Sequence, residues 1–186
     1  RLTVARGGVS VLQGVDFRVP AGQALILRGP NGVGKTTLLR TIAGLQPAVA
    51  GHVGPGPDRV AYAGHADAVK ATLTVAENLA FWAAVYGAAG LAEVLDRLAL
   101  GPLRHRAAQT LSAGQKRRLG LARLLLAGRP VWALDEPTVS LDAASTGLFG
   151  GIVQDHLAAG GSAVLTSHVD MGLAFARELD LTPWRA

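Results

Sequence analysis

The stretch that decides the fold is "QALILRGPNGVGKTTLLRTIAGL", residues 23–45. A strand-like apolar run is followed by the glycine-rich "GPNGVGKTT" (residues 29–37) and then by an apolar, helix-like run. The order of strand, G-x-x-x-x-G-K-[ST] and helix is the context that marks a phosphate-binding loop. Glycines let successive backbone N–H groups face an anion, and the helix that follows adds its dipole. The stretch therefore predicts a nucleoside triphosphate site on an α/β fold.

Two side chains of this loop have expected roles of their own. Lys35 is expected to reach the β and γ phosphates, and the Thr36 hydroxyl is expected to ligate Mg²⁺. Contacts to the nucleotide are expected from the loop as a whole: Gly29, Pro30, Asn31, Gly32, Val33, Gly34, Lys35, Thr36 and Thr37. A nucleotide with Mg²⁺ is thus the expected ligand.

The composition limits the classes of protein to which this chain can belong. Of the 186 residues, 49% are hydrophobic and 5% aromatic, which predicts one domain with an aliphatic core packed around a sheet. Because the sequence has no cysteine, disulfides, thiolate metal sites and cysteine nucleophiles are excluded. The net charge of +5 is compatible with nucleic acid, an anionic membrane surface or a nucleotide, and equally with a surface that keeps the chain soluble.

Two stretches bear on membrane insertion and targeting. The charge-free residues 79–92 are fewer than the about 20 that a spanning helix needs, and they include two glycines. The stretch "RLTVARGG" (1–8) lacks the basic and then apolar layout of a secretory signal. We expect neither a spanning helix nor a targeting segment in this sequence.

Short apolar runs mark the candidate strands. The first two, "LTVA" (2–5) and "GVDFRV" (14–19), predict an antiparallel β part ahead of "QALILR" (23–28). Later runs predict parallel core strands: "VAYA" (60–63), "VWAL" (131–134) and "AVLT" (163–166).

A helical segment is expected between these later strands. Thr74, with Glu77 three residues on, forms a capping-box pattern, and the first helix is expected to end at Gly87. We predict a single domain with two parts. A core of the phosphate-loop NTPase kind, with its antiparallel β part, spans residues 1–73 and 127–186, and an inserted helical subdomain spans residues 74–126.

Two acidic residues follow an apolar strand in "VWALDEP" (131–137). Asp135, at the carboxyl end of the strand, is placed to reach Mg²⁺ directly or through water, and Glu136 to orient or deprotonate a water molecule. Adjacent carboxylates also cap helices, but beside a phosphate loop the metal and catalytic roles are favoured.

His168 stands just beyond another strand, in "AVLTSH" (163–168). Ligands gather at the carboxyl ends of parallel strands, so this imidazole is expected near Asp135 and the phosphate loop, where it would sense the γ-phosphate. A surface or helix-capping histidine is the competing interpretation. We assign His168 to catalysis because of the motifs around it.

Two further motifs, together with the acidic pair described above, complete a known pattern. "LSAGQ" (111–115) resembles the signature "LSGGQ" of ATP-binding-cassette (ABC) transporter ATPases, "SLD" (140–142) their D-loop, and "LDEP" (134–137) their second nucleotide motif. The chain is thus similar to the nucleotide-binding subunit of an ABC transporter over nearly its whole length. The resemblance implies hydrolysis of ATP, with further contacts to ATP from Ser112, Ala113, Gly114, Gln115 and Asp142.

The signature turn lies far along the chain from the phosphate loop. Ser112 and the N–H groups after it open a helix and are suited to an anion, yet about 75 residues separate them from Lys35. The family resemblance implies a head-to-tail homodimer, in which each signature turn covers the γ-phosphate held by the other subunit.

Two positions depart from the family pattern. After the strand "VAYA" the family usually has a glutamine near the Mg²⁺ shell and the membrane partner, whereas this chain has His65. Oxygen suits Mg²⁺ better than imidazole nitrogen, so we expect His65 to link the nucleotide site to a partner by hydrogen bonds. The family also places an aromatic residue near the amino terminus to stack on adenine; here Ala5 and Arg6 stand there, and Arg6 either stacks or is solvated.

A narrower resemblance is carried by longer stretches. "GHADAVKATLTVAENLAFWAA" (64–84), "LSAGQKRRLGLARLLL" (111–126) and "LDEPTVSLD" (134–142) are similar to the ATPase subunit of the haem exporter system for cytochrome c maturation. This resemblance implies a peripheral protein on the cytoplasmic face of the bacterial inner membrane. It also implies integral membrane subunits as partners, membrane association through them alone, and no nucleic-acid partner.

Other interpretations remain open from the sequence. The ATPase of another small-substrate ABC transporter shares these motifs, and a soluble ABC ATPase acting on nucleic acid would suit the basic charge. A small-molecule kinase would explain the phosphate loop but leaves "LSAGQ" without a role.

In residues 79–87, Phe81, Trp82 or Tyr86 either packs in the core or borders a groove for a helix of the membrane partner.

Overall fold

After an initial hairpin, strands alternate with helices. The computed structural model describes residues 1–54, 56–174 and 176–186. Within them the strands are β1 (Leu2–Arg6), β2 (Val9–Val15), β3 (Ala24–Arg28), β4 (Val60–Ala63), β5 (Val131–Asp135), β6 (Ser162–Thr166) and β7 (Ala176–Asp180). The α-helices are α1 (Lys35–Ile42), α2 (Val75–Tyr86), α3 (Leu91–Arg97), α4 (Ala113–Ala127) and α5 (Ala143–Ala158). Short 3₁₀ turns lie at Pro57–Arg59, Gly101–Leu103, Ala108–Thr110 and Thr182–Trp184.

The central sheet is parallel throughout its described strands. Its order is β4-β5-β6-β3-β7, and each neighbouring pair runs in the same direction. The inner strands are mostly Ala, Val, Leu and Ile because helices cover both faces of such a sheet. β7, at the edge, has the sequence "ARELD" and is half-buried or exposed, so charged residues are tolerated there. The predicted parallel sheet is confirmed, with β7 as a strand that the sequence did not indicate.

The amino-terminal hairpin differs from the sequence prediction. β1 and β2 are antiparallel and are joined by Gly7 and Gly8, whose φ values of +57° and +82° suit a tight hairpin turn. The second strand therefore begins right after these glycines and ends at Val15. The predicted antiparallel β part is confirmed, but the bounds of 14–19 for its second strand are wrong, because the turn comes earlier in the chain than the apolar pattern indicated.

Alternate residues of the core strands enter two separate apolar clusters. Leu134 and Leu165 belong to the cluster that contains residues of α2, α3, α4 and α5. Ala133 and Val164 belong to the cluster that contains residues of α1 and the hairpin. This two-sided burial fixes the register of the strands, since a slip by one residue would exchange the two faces.

Helix α2 begins and ends where the sequence predicted. The Thr74 hydroxyl accepts from the Glu77 N–H at 3.2 Å, and the Glu77 carboxylate accepts from the Thr74 N–H at 2.7 Å. Gly87 ends the helix with a left-handed φ of 64°. One apolar cluster contains residues of α2, α3, α4 and the sheet. The division into a core and a helical subdomain over residues 74–126 therefore stays a prediction.

The described helices are short relative to a bilayer. The longest of them, α5, has 16 residues. None of the helices in the described ranges has both the length and the apolar character needed to span a membrane.

Candidate active site

The loops that follow four parallel strands meet at the carboxyl edge of the sheet. β3 leads into the phosphate loop, β5 ends at Asp135, β6 leads to His168, and β4 leads to His65. Because β5, β6 and β3 are neighbours in the sheet, the loops after them come together. They border a cavity of about 400 Å³. Its lining consists of Arg6, Val11, Asn31, Gly32, Gly34, Lys35, Thr36, Thr37, His65, Asp135, Glu136, Val139 and His168.

The phosphate loop turns into α1 at Gly34. Its φ of +118° is left-handed, and a Cβ here would lie 2.9 Å from a leucine side chain of β2, so only glycine fits. The Lys35 ammonium donates to the carbonyls of Gly29 (2.7 Å) and Pro30 (3.2 Å), which holds it over the loop. The side chain of Val33 is buried in the apolar core. Gly29, Pro30 and Val33 are not among the described residues that line the cavity.

Asp135 has one carboxylate oxygen without a hydrogen-bond partner. The side chain is 2% exposed, and its Oδ1 accepts from the Thr166 hydroxyl at 3.0 Å. Among the described residues Oδ2 has no hydrogen-bond partner, and it lies 3.9 Å from His65 Nε2. A buried carboxylate oxygen of this kind is costly unless a cation or a donor joins it. Thr36 lines the same cavity, so its hydroxyl and Asp135 offer two hard oxygens, and these residues fit the predicted Mg²⁺.

Glu136 has an unusual backbone conformation. Its φ is +51°, a left-handed value that costs a residue with a Cβ roughly 1–2 kcal/mol. Its N–H donates to the Thr166 hydroxyl at 2.8 Å, and its Oε1 lies 3.3 Å from His168 Nε2. The Glu136 side chain is sheltered whereas His168 is largely exposed. The structure therefore brings these two residues together, and backbone strain at a residue of this type is typical of functional sites.

The signature turn and Asp142 act as helix caps. The Ser112 hydroxyl accepts from the Gln115 N–H at 3.2 Å, and the Gln115 side chain accepts from the Ser112 N–H at 3.0 Å. Asp142 accepts from the Ser145 N–H at 2.7 Å, a bond that lowers the pKa of this carboxyl. Among the described lining residues, none belongs to the turn 112–115 or is Asp142. Their contacts to ATP stay predictions.

Three residues near the site carried no signal in the sequence. Thr166 is fully buried and joins the two acidic residues through its hydroxyl. Burial raises the pKa of the Tyr62 phenol, and the charge of the nearby aspartate adds to the shift. Arg117 belongs to a basic run but is buried against two loops of the site. Arg6, for which stacking and solvation were both open, lies in the cavity lining.

A model of the ABC transporter family matches residues 12–139, a range that includes the phosphate loop, the signature turn and both acidic residues. The chain belongs to the ABC transporter family. It is 66% identical over 185 residues to the cytochrome c biogenesis ATP-binding export protein CcmA of Cereibacter sphaeroides, which covers 100% of this chain and 88% of that protein. It is 45% identical over 189 residues to the protein of the same name from Bradyrhizobium diazoefficiens, with coverage of 96% and 94%.

A solved structure agrees with this fold. The putative ABC transporter ATP-binding protein from Pyrococcus furiosus has a TM-score of 0.85 at 24% identity and covers 100% of this chain and 96% of its own. The predicted α/β fold and the predicted resemblances to ABC ATPases and to the cytochrome c maturation subunit are therefore confirmed. The chain is an ATP-binding ATPase, and the kinase and nucleic-acid interpretations are not favoured.

Proposed function

We propose that the chain is the ATP-hydrolysing subunit of a cytochrome c biogenesis exporter and that it powers the transfer of haem across the inner membrane. The proposal rests on the cavity at the carboxyl edge of the sheet, because Lys35, Asp135 and Glu136 all line it. Full-length similarity to proteins named for cytochrome c biogenesis supports this choice over other ABC transporters.

Each group at the cavity has a chemical role in this proposal. The N–H groups of the phosphate loop and Lys35 bind the phosphates, and the oxygens of Thr36 and Asp135 hold Mg²⁺. Bound Mg²⁺ supplies positive charge against the phosphate oxygens. Glu136 orients a water molecule toward the γ-phosphate and accepts its proton, while His168 holds Glu136 Oε1.

A deletion strain tests the proposed cargo. Without the gene for this chain, haem-stained c-type cytochromes should be lost from the periplasm, and the wild-type gene should restore them. Glu136→Gln should fail to restore them although the protein is made at the same level, and Glu93→Gln, at an exposed position on α3, is the matched control. Normal c-type cytochromes in the deletion strain would contradict the proposal.

The signature turn is proposed to act on a second copy of the chain. In a head-to-tail dimer Ser112 of each subunit faces the ATP bound to Lys35 of the other, which gives two composite sites at one symmetric interface. Lys35→Ala and Ser112→Arg chains should each fail to dimerise with ATP, whereas a mixture keeps one intact composite site.

The mixing experiment is read as ATP-dependent dimerisation in a Glu136→Gln background, by light scattering after size exclusion. Dimers should form in the mixture and in neither parent. Circular dichroism of each parent is the control for folding, because Ser112 also caps α4. The absence of dimers on mixing two folded chains would contradict the shared site.

An apolar face of α2 is proposed to dock the integral membrane subunits. Phe81 and Val85, one helical turn apart, are 55% and 56% exposed. Trp82 is half-buried against the core, with its ring 5.2 Å from that of Phe81 and stacked on Tyr86 at 5.7 Å. Core packing thus accounts for Trp82, while Phe81 and Val85 remain available to an apolar helix. Through this contact the chain is held at the cytoplasmic face of the inner membrane.

Recovery from detergent-solubilised membranes tests this docking face. Phe81→Ser should reduce the amount of membrane subunits that co-purify with the chain, with no change in its melting temperature. Val9→Ser is the matched control, because Val9 is also an exposed apolar residue but lies on the hairpin. Equal recovery with both variants would place the docking surface elsewhere.

A further inference from the structure

Arg117 is a charged residue buried in the helix that follows the signature turn. It lies on α4 and is 4% exposed. A guanidinium stays charged in a protein, so its burial requires hydrogen-bond acceptors around it. The acceptors therefore indicate its role.

Four acceptors surround the Arg117 guanidinium, and they come from two loops. In the loop after β4, Nη1 donates to the Gly64 carbonyl at 2.7 Å and to Asp67 Oδ1 at 2.9 Å. In the loop after β5, Nε donates to the Pro137 carbonyl at 2.9 Å and Nη2 to the Glu136 carbonyl at 2.8 Å. Arg117 thus joins two loops that border the nucleotide cavity.

The backbone of Glu136 is held on both of its polar groups. Its N–H donates to the Thr166 hydroxyl at 2.8 Å, and its carbonyl accepts from Arg117 at 2.8 Å. Because a φ of +51° is unfavourable for a residue with a Cβ, these bonds stabilise a conformation that is otherwise sparsely populated. The direction of the Glu136 side chain follows from that conformation.

We propose that Arg117 is a positioning residue that holds the loop after β4 and the carboxylate of Glu136 in one arrangement. The proposal rests on the proposed role of Glu136 as the base. A close contact one turn along α4 supports it: a Cβ at Gly120 would lie 2.6 Å from the Asp67 carbonyl oxygen, so only glycine lets the helix approach this loop.

Arg117→Met tests the proposal, because it removes the donors and keeps much of the side-chain volume. Arg118→Met is the matched control on the same helix, since Arg118 donates to the carbonyls of Leu98 and Ala99, outside both loops. A displaced base costs up to about 100-fold in rate, so we expect kcat to fall about 10- to 100-fold with Arg117→Met while the Kd for ATP changes by less than about threefold. Amide hydrogen exchange in residues 64–70 and 136–141 should become faster with Arg117→Met and not with Arg118→Met.

Two further variants keep the test decisive if Arg117→Met does not fold. Arg117→Lys keeps the charge, but one ammonium cannot serve acceptors in both loops as the forked guanidinium does. Asp67→Ala changes a partly exposed residue of the first loop, and it should speed exchange in residues 136–141 of the second, because Arg117 loses one of the acceptors that hold it in place. Unchanged kcat and exchange in the folded variants would overturn the proposal, as would a loss of ATP affinity equal to the loss of kcat. Amide hydrogen exchange does not depend on hydrolysis. It therefore tests whether Arg117 holds the two loops even if Glu136 proves not to be the base.

Discussion

The two ends of the parallel sheet hold their histidines in opposite ways. At the carboxyl end, the side chains of His65 and His168 are 64% and 70% exposed, and each lies beside a carboxylate. At the amino end, His156 is stacked on Trp132 with ring centroids 3.9 Å apart and the planes 7° from parallel. The first arrangement leaves two imidazoles accessible to a ligand beside sheltered carboxylates, whereas the second uses an imidazole as a packing element.

Backbone strain follows the same division. In the described loop after the carboxyl end of β5, Glu136 and Ser140 have φ values of +51° and +67°. The turns that lead into the amino ends of β3, β5 and β6 place glycine at such values: Gly22, Gly128 and Gly160. Glycine adopts these values without strain, and a residue with a Cβ does not. The sheet therefore carries its conformational cost at the end where the proposed chemistry takes place.

Glu136→Gln should have the largest effect at the carboxyl end. An amide cannot take the proton from water, and a positioned base is worth roughly 10² to 10⁴ in rate, so phosphate release should fall by that factor. The Kd for ATP, measured with a fluorescent analogue, should stay near the parent value. Hydrolysis at the parent rate would show that Glu136 is not the base, and the Glu93→Gln variant controls for the loss of a carboxylate at an exposed position on α3.

Thr166→Val, at the same end of the sheet, should have a smaller effect on hydrolysis than Glu136→Gln. Valine has the same shape but lacks the hydroxyl that bonds to Asp135 and to the Glu136 N–H. Leaving such buried groups unpaired costs about 1–3 kcal/mol, so the free energy of unfolding should fall by that amount in urea titrations. We expect a fall in kcat of about tenfold, since a misplaced catalytic group costs up to about 100-fold.

Thr41→Val is the matched control for this substitution. Thr41 is also buried, but its hydroxyl donates only to the Thr37 carbonyl within α1. It should lose stability without a comparable loss of kcat. Equal losses of kcat in both variants would mean that Thr166 supports the fold and does not place the carboxylates.

Most residues that line the cavity at the carboxyl end could be predicted from the sequence, because the proposed chemistry requires fixed local spacings. The phosphate loop and the pair Asp135 and Glu136 are each contiguous, and each follows an apolar run. Arg117 and Thr166 could not be predicted, because their roles arise from contacts between segments far apart in the chain. The strand β7 was missed for a different reason: an edge strand tolerates charge, so "ARELD" lacks the apolar signal of the inner strands.

His156 predicts a pH dependence of stability at the amino end. Burial lowers the pKa of this imidazole, although hydrogen bonding to backbone carbonyls acts in the opposite direction. As the pH falls below about 6.5, the unfolded chain therefore takes up a proton here before the folded chain does. The free energy of unfolding should fall by up to about 1.4 kcal/mol per pH unit from this group.

Urea titrations between pH 7.5 and pH 5 measure this contribution by difference. His156→Gln should be less stable than the parent at pH 7.5, because it loses the stack on Trp132, but it should lose less stability on acidification. His105→Gln, at an exposed position, controls for the change from histidine to glutamine. Equal slopes for the parent and His156→Gln would show that the stacked imidazole does not titrate differently on folding.

His65→Gln should have the smallest effect on the isolated chain. His65 Nε2 lies 3.9 Å from Asp135 Oδ2, which is beyond hydrogen-bonding distance, and its side chain is largely exposed. An amide oxygen suits Mg²⁺ better than imidazole nitrogen, so the basal kcat should change by no more than a few-fold, about the scale of one exposed contact. The response of the ATPase to the co-purified membrane subunits should change more, because His65 is proposed to link the nucleotide site to them. His65→Ala separates the two effects, since alanine offers neither the oxygen that glutamine would present to Mg²⁺ nor the proposed hydrogen bonds to the membrane subunits. A near-complete loss of basal hydrolysis in His65→Gln would instead place this imidazole at the metal or the attacking water, and the carboxyl end would then hold two catalytic histidines.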